Sequence, residues 1–495
     1  MGTYKASLYN YVFNSINAII IIVNGIVMVP VYFRYMSVST YGAWLATGNV
    51  IAMLGLIESG FSSVITQKMS VTLSNGDVDG FKKLAGANIV VAIVMAAIVF
   101  LFGLALSPFV AGWVNVDVVD KNAITLSFVI ALISSCIALF TSLICAFPQV
   151  WQRTREVGLI NTVVNIISIA SLILFLLIGC GVASIALSYF VRALLNLFLQ
   201  GGWVLNYWRI NIISKPLVDI DVIRNLIKAC LYPFLSRLSG VLMSNSHSFL
   251  IAFFINPALA ALYDITAKVC TVACTFANMT NGSFFALFSL TIASKDKKRI
   301  DSVFNTTTRF FMATLTSILL YCICFTEPIV YYWVGLDKFG GTILLVAIVI
   351  SNVFQQIRLY CNNIIYTGGL INKSAKLDIL CMFVYLGLLV VIIRKAELYA
   401  IPIALLVSCA LFIIWYLRIL SKDLRLDLSK LIGTSVVSVA IAIPFFLAHF
   451  LLSPNYHYVL QYVVYFILFT VAFFTALYFT NKDLAKQVKV RLLRP

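Results

Sequence analysis

Apolar residues in this chain fall into long runs that are separated by short polar segments. A helix needs about 20 consecutive apolar residues to cross the hydrocarbon of a bilayer, and fourteen runs meet this requirement. We place them at about 11–33, 41–65, 87–107, 123–147, 159–179, 181–206, 229–255, 258–292, 304–326, 342–366, 378–394, 398–417, 431–452 and 458–480. The pattern predicts an all-α integral membrane protein with about fourteen transmembrane helices.

Composition excludes a soluble globular class. Hydrophobic residues make up 62% of the 495 residues and charged residues only 11%, against about 25% charged residues in an average soluble domain. The eleven cysteines lie mostly in apolar runs and form no C-x-x-C pair, and there are three histidines. We interpret the cysteines as small buried side chains and predict no metal site, no cofactor and no catalytic residue.

The net charge of +17 reflects membrane topology. With the N-terminus inside, the cytoplasmic segments hold 25 of the 35 Lys and Arg residues, the outer loops hold 5, and 5 lie within the spans. Lys and Arg concentrate in cytoplasmic loops of membrane proteins. The asymmetry predicts that both termini are cytoplasmic and that the number of spans is even. It attributes the basic charge to topology and not to nucleic-acid binding.

The loops also predict the domain organisation. No loop exceeds about two dozen residues, and no G-x-x-x-x-G-K-[ST] motif occurs, so neither a soluble catalytic domain nor a P-loop is expected. The longest cytoplasmic loop follows the sixth helix. We predict an N-terminal lobe, an inter-lobe loop, a C-terminal lobe, two further helices and a basic cytoplasmic tail, at 1–206, 207–228, 229–417, 418–480 and 481–495.

Several predicted helices carry polar residues along one face, at the i, i+3, i+4 spacing of an α-helix. Such stripes are typical either of tight helix–helix contacts or of a hydrated cavity. We favour the cavity for the seventh, eighth and tenth helices, because they also carry ionised groups. The candidate lining residues are Asn14, Asn17, Asn24, Ser244, Ser248, Thr271, Asn278 and Gln355.

Seven ionised residues stand out within the predicted spans, away from the end residues of those spans, and each costs about 2.5–3.5 kcal/mol at mid-helix. The cations are Arg192, Arg237, Lys268, Arg309 and Arg358, and the acids are Glu58 and Asp264. Asp264 and Lys268 are four residues apart and form a candidate ion pair, whereas Arg309 and Glu58 are near enough to a helix end to reach the interface. Five cations against two acids leave an excess of +3, which predicts a site for an anion, and guanidinium groups suit phosphate.

The segment 41–70 resembles the second helix of bacterial polysaccharide flippases of the Wzx type. The resemblance rests on Tyr41, Gly42 and Trp44, followed by Glu58 with Gly60. The acidic position is more often Asp in that family. Further matches are the Asn-rich first helix ending in Pro30, the segment 149–155, and the ALYDITAKV stretch at 261–269.

This resemblance implies membership of the multidrug/oligosaccharidyl-lipid/polysaccharide (MOP) exporter superfamily. It implies two six-helix lobes related by a pseudo-two-fold axis, with two helices appended, in the bacterial inner membrane. The implied substrate is an oligosaccharide on undecaprenyl diphosphate, moved from the cytoplasmic to the periplasmic leaflet for O-antigen or related lipopolysaccharide assembly. The implied partners are a polysaccharide polymerase and a chain-length regulator, and coupling to H⁺ or Na⁺ stays open.

Two alternatives remain at this stage. A cation-coupled multidrug exporter of the same fold would favour an acidic cavity, which the excess of cations disfavours. A membrane polysaccharide polymerase or glycosyltransferase would be expected to have a large outer loop or an acidic metal-binding pair. The longest outer loops, 108–122 and 327–341, show no such group.

Overall fold

The computed structural model describes residues 3–55, 61–113, 121–151, 153–211, 216–293, 296–426, 428–454 and 458–480. Within these ranges the chain is almost entirely helical and has no β-strand, which confirms the predicted fold class. The α-helices are α1 (Thr3–Tyr35), α2 (Val38–Gly55), α3 (Phe61–Ser74), α4 (Val78–Trp113), α5 (Lys121–Ile144), α6 (Ala146–Val150), α7 (Thr154–Ile178), α8 (Ala183–Asn196), α9 (Gly202–Asn211), α10 (Ile220–Asn245), α11 (His247–Phe254), α12 (Pro257–Ala293), α13 (Lys297–Trp333), α14 (Thr342–Thr367), α15 (Ile371–Ala396), α16 (Ala400–Lys422), α17 (Ser429–Leu452) and α18 (Val459–Thr480). A π-helix, Leu197–Gly201, joins α8 to α9.

Ten helical stretches of the described residues are long and apolar enough to cross a membrane, or eleven if α10 counts as one bent span. The predicted total of fourteen is therefore not confirmed. Two predicted spans, 378–394 and 398–417, fall in one helical stretch, Ile371–Lys422. The second predicted span includes 56–60, outside the described residues, and α17 contributes only a shorter apolar helix, Ala440–Leu452.

Contacts divide the chain into two compact units. The first unit comprises Met1–Tyr263 with Ile393–Leu398, and the second comprises Asp264–Ile392 with Tyr399–Pro495. The predicted two-lobe division, with its boundary at 207–228, stays a prediction.

In the first unit, α4 and α5 pack closely along their length, and α5 also contacts α8, while α7 contacts both α1 and α8. Its core contains fully buried side chains such as Ile65, Phe81 and Leu132. Many other large apolar residues, such as Leu101 and Leu177, are two-thirds exposed. An exposed apolar side chain on a long helix is stable when lipid is the solvent.

The segment before α10 is fastened to α4. The backbone N–H of Leu217 donates to the Lys82 carbonyl at 3.2 Å, and the Lys83 ammonium lies 2.9 Å from the Asp219 carboxylate. Asp219 also caps α10 by accepting from the backbone N–H groups of Asp221 and Val222. The hydrogen bond from Lys83 is the main cause that lowers the pKa of Asp219.

In the second unit, α14 packs against both α13 and α16, and α13 also packs against α17. An aromatic cluster joins α13 to α18, with Phe325 against Phe466 and Phe469 at ring-centroid distances of 4.8 and 5.4 Å. Such pairs add about 0.5–1.5 kcal/mol beyond their burial. The cluster therefore holds the last described helix on the rest of the unit.

Candidate functional site

The predicted polar face of α12 is open. Thr271 and Asn278 are exposed. The Thr271 hydroxyl donates a hydrogen bond to the Ala267 carbonyl of the same helix at 2.9 Å. Asp264 and Lys268 are half-buried and lie 3.5 Å apart, which confirms the predicted ion pair. A spanning helix cannot turn such groups toward hydrocarbon at low cost, and the hydrated cavity along this face stays a prediction.

The seventh predicted span consists of two helices that meet at Ser246, whose backbone stays in the right-handed helical region. The structure ends α10 at Asn245 and begins α11 at His247, so the junction falls within the polar run Ser244–Ser248. Arg237 and Ser244 are exposed on α10, whereas Ser248 is buried on α11.

Three of the predicted cations have no acidic partner among the described residues. Arg237 on α10 and Arg309 on α13 are exposed, and Arg192 on α8 is half-buried. The ion pairs of the described residues involve none of the three. No carboxylate in the described part of the chain neutralises these three guanidinium groups.

The excess of +3 inferred from the sequence is too high, because Arg358 has an acidic partner. The Arg358 side chain is 1% exposed, and its guanidinium lies 2.5 Å from the carboxylate of Asp378 on α15. Asp378 also accepts from the Tyr416 hydroxyl at 2.7 Å and from the Asn362 amide at 3.0 Å. Arg358 is therefore neutralised inside the second unit, and we remove it from the cations that can meet an anion.

Sequence reasoning missed Asp378 because it is the first residue of the predicted eleventh span and was not counted as intramembrane. In the structure α15 begins at Ile371, seven residues earlier. The carboxylate is thus well inside the helix and 4% exposed. Had the predicted span begun two turns earlier, Asp378 would have been counted as an intramembrane acid and a possible partner of Arg358.

The asparagines of α1 differ in what they contact. The Asn17 amide donates to Thr162 at 3.3 Å, and its oxygen accepts from Asn165 at 2.7 Å, so Asn17 joins α1 to α7. Asn24 is half-buried, and its side-chain oxygen has no hydrogen-bond partner among the described residues. The Asn14 side chain and the whole of Glu58 lie outside the described residues.

The predicted role of Gln355 as a cavity-lining residue stays a prediction. Gln355 is buried on α14, with 6% exposed, two turns before the Asn362 that binds Asp378. Asn363, the residue after Asn362, donates from its amide nitrogen to the side-chain oxygen of Asn281 on α12 at 2.8 Å. Arg358, Asn362 and Asn363 of α14 therefore contact neighbouring helices, which was the alternative interpretation of such stripes.

A family model described as polysaccharide biosynthesis protein matches residues 7–292 of the chain. The chain belongs to this family. No curated protein gives a match to the sequence.

Solved structures show the fold of this family member. The lipid II flippase MurJ in an inward closed conformation matches with a TM-score of 0.71 and 11% identity, over 97% of this chain and 100% of that one. An inward-facing multidrug resistance MATE family transporter of the MOP superfamily matches with a TM-score of 0.64 and 10% identity, over 85% and 95%. At such identities the likeness establishes a shared fold and not a shared substrate. The chain is a multi-pass membrane protein with the fold of MOP superfamily members.

Proposed function

We propose that this protein is a transporter that flips an oligosaccharide linked to undecaprenyl diphosphate from the cytoplasmic to the periplasmic leaflet of the bacterial inner membrane. Membership of a polysaccharide biosynthesis family supports a glycan-related role. The fold, which is shared with a lipid II flippase, supports the movement of a lipid-linked substrate by alternating access. O-antigen or a related surface polysaccharide is the proposed product.

The observation that carries the proposal is the set of cations without acidic partners. Arg192 and Arg237 lie well within predicted spans, where an unpaired charge is costly, whereas Arg309 lies nearer a helix end. None of the three has an ion pair among the described residues. A diphosphate would supply the missing negative charge. A guanidinium binds phosphate oxygens through two parallel hydrogen bonds.

The open polar groups suit the sugar part of such a substrate. Thr271 and Asn278 on α12 are exposed and present hydroxyl and amide groups. The polyprenyl tail needs no enclosed site, since it is soluble in the bilayer. The polysaccharide polymerase and the chain-length regulator are proposed to act on the product on the outer face.

The described residues favour this substrate over a cationic drug. Asp264 is paired with Lys268, and Asp378 is paired with Arg358, so neither carboxylate is available to a cation without breaking an existing pair. The likeness to MATE transporters concerns the fold.

The proposal is tested in a strain that lacks this protein, complemented with wild-type or variant chains. We expect lipid-linked oligosaccharide to accumulate on the cytoplasmic side of the deletion strain and wild type to restore transport. The Arg237→Ala variant should lower transport by at least about tenfold, because a hydrogen bond to a charged group contributes roughly 1.5–3 kcal/mol. The Arg237→Lys variant should retain part of the activity.

Lys422→Ala is the matched control, because Lys422 is an exposed cation at the end of α16 and has no proposed role. Protein levels are compared by immunoblot in every strain. Full transport by Arg237→Ala would remove Arg237 from the substrate path. Normal translocation in the deletion strain, with only the polysaccharide chain length altered, would overturn the proposed function.

A further inference from the structure

The first unit contains a polar cavity of about 350 Å³ that no step above uses. Its lining comes from α1, α3, α5, α6, α7, α8 and the π-helix. The described residues around it include no Asp, Glu, Lys, Arg or His, and most of the polar lining consists of Asn, Gln, Ser and Thr. The volume lies within the range of about 300–1,000 Å³ that is usual for small-molecule sites.

An amide network forms one wall of the cavity. The Gln200 amide nitrogen donates to the side-chain oxygens of Asn161 at 2.7 Å and Asn196 at 2.9 Å. The Gln200 oxygen accepts from the thiol of Cys145. Gln200 is 2% exposed and fully engaged, so it fixes the orientation of the two asparagines, whose amide nitrogens have no partner among the described residues.

Helix α5 contributes hydrogen-bond acceptors to the cavity. The Thr141 hydroxyl donates to the Ile137 carbonyl at 2.8 Å, and the Ser142 hydroxyl donates to Leu139 at 2.8 Å. Their protons are committed to their own helix, which leaves the oxygens as acceptors. The cavity therefore presents N–H donors and oxygen acceptors, but no net charge.

The wall that carries Gln200 is a π-helix, Leu197–Gly201. Single π-turns within α-helices are rare and occur frequently at functional sites. The turn places Asn196 and Gln200 on the same cavity. The irregular backbone therefore coincides with the amide network.

We propose that this cavity binds a neutral sugar residue of the lipid-linked oligosaccharide, an inference that rests on the proposed function. A sugar hydroxyl both donates and accepts, which matches the two kinds of group on the wall. The described lining has no carboxylate to neutralise a cation and no Arg or Lys to neutralise a phosphate. Gln149 and Thr154 of the lining belong to 148–158, the loop between the fourth and fifth predicted spans. With the N-terminus inside, this loop is predicted to be cytoplasmic, which is the side on which the proposed substrate is made.

Cys145 provides a native probe of occupancy, because it lines the cavity and is half-buried. Cys136 on α5 is also half-buried but is not part of the lining, so it serves as the internal control. The full-length protein in nanodiscs is treated with N-ethylmaleimide, and modification at each cysteine is measured by mass spectrometry. The probes are N-acetylglucosamine, galactose and rhamnose, with glucuronate and inorganic diphosphate as charged comparisons.

We expect at least one neutral sugar to slow the modification of Cys145, by about threefold at a concentration of twice its Kd, because protection scales as 1 + [L]/Kd. Cys136 should be unaffected, and the charged probes should not protect Cys145. Protection should be lost in Asn161→Leu and Gln200→Leu but kept in Asn352→Leu, an amide on α14 that donates to its own helix. If a leucine variant does not fold, the protection of Cys145 is measured in Asn196→Ala, where it should also be lost.

The inference is overturned if Cys145 does not react in the absence of sugar, if no neutral sugar protects it, if Cys136 is protected equally, or if the amide variants keep the protection. The two proposals can also fail separately. Transport in cells without sugar protection of Cys145 would remove only the cavity assignment. Protection without transport would overturn the proposed function and leave a sugar site.

Discussion

At the scale of single residues, the buried ion pair of the second unit shows how strongly burial changes the loss of stability when one charged partner is removed. Arg358 and Asp378 are 1% and 4% exposed. In contrast, Lys373 and Asp423 form a pair that is 53% and 34% exposed. Exposed pairs contribute about 0–1 kcal/mol. Removal of one partner of a buried pair costs several times as much, because the other charge is left without compensation.

The change of Asp378 to Asn should therefore lower the free energy of unfolding by about 3–5 kcal/mol. Asp423→Asn, the exposed control, should change it by about 1 kcal/mol or less. The melting temperature of the protein in detergent measures the difference. The double variant Arg358→Met, Asp378→Leu should recover most of the loss, since no charge then remains buried. Equal melting temperatures for the two Asn variants would contradict this account.

At the scale of elements, helix contacts in the first unit depend on small residues at particular positions. A Cβ atom on Gly42 of α2 would lie 1.8 Å from the carbonyl oxygen of Pro257, at the start of α12. Gly48 lies less than two turns further along the same helix, and a Cβ there would meet only the Trp44 ring, at 3.9 Å. Gly42 thus permits a backbone contact that no other residue allows, whereas Gly48 does not.

Gly42→Ala should reduce the amount of folded protein severely, because the clash is with backbone and not with a flexible side chain. Gly48→Ala should be neutral or stabilising by up to about 1 kcal/mol, since alanine is the better helix former. Fluorescence-detected size-exclusion chromatography of both variants measures the folded fraction. The account would be wrong if both variants gave wild-type profiles.

At the scale of the whole molecule, the distribution of Lys and Arg predicts the orientation in the membrane. Lys395 lies in a predicted outer loop and Lys422 in a predicted cytoplasmic segment. The helix α16 lies between them, and both side chains are exposed. The pair therefore brackets one predicted crossing.

Lys395→Cys should react with a membrane-impermeant maleimide in intact spheroplasts, whereas Lys422→Cys should react only after the membrane is opened. The charge asymmetry provides the physical reason, because basic loops are retained on the cytoplasmic side. Each cysteine is introduced singly into a variant that lacks the native cysteines and still supports the synthesis of surface polysaccharide. Reaction of both positions from the same side would contradict the predicted crossing between 398 and 417.

Local features of this protein follow from the sequence by itself. Apolar run length identified the membrane-spanning class, because hydrocarbon thickness fixes the length of a spanning helix. The Asp264–Lys268 pair was predicted correctly because residues four apart on a helix are neighbours whatever surrounds them. The family resemblance also rested on a short local segment, 41–70, and the family match includes that segment.

Tertiary structure alone decided which polar groups meet. Arg358 finds Asp378 on another helix, Asn17 of α1 binds Asn165 of α7, and Gln200 binds Asn161 across 39 residues. A polar side chain in a spanning helix must be satisfied by something, but the helical spacing does not say whether that partner is a neighbouring helix, water or a ligand. Only the packing of helices distant in sequence separates the neutralised Arg358 from the open Arg237 and encloses the cavity beside Gln200.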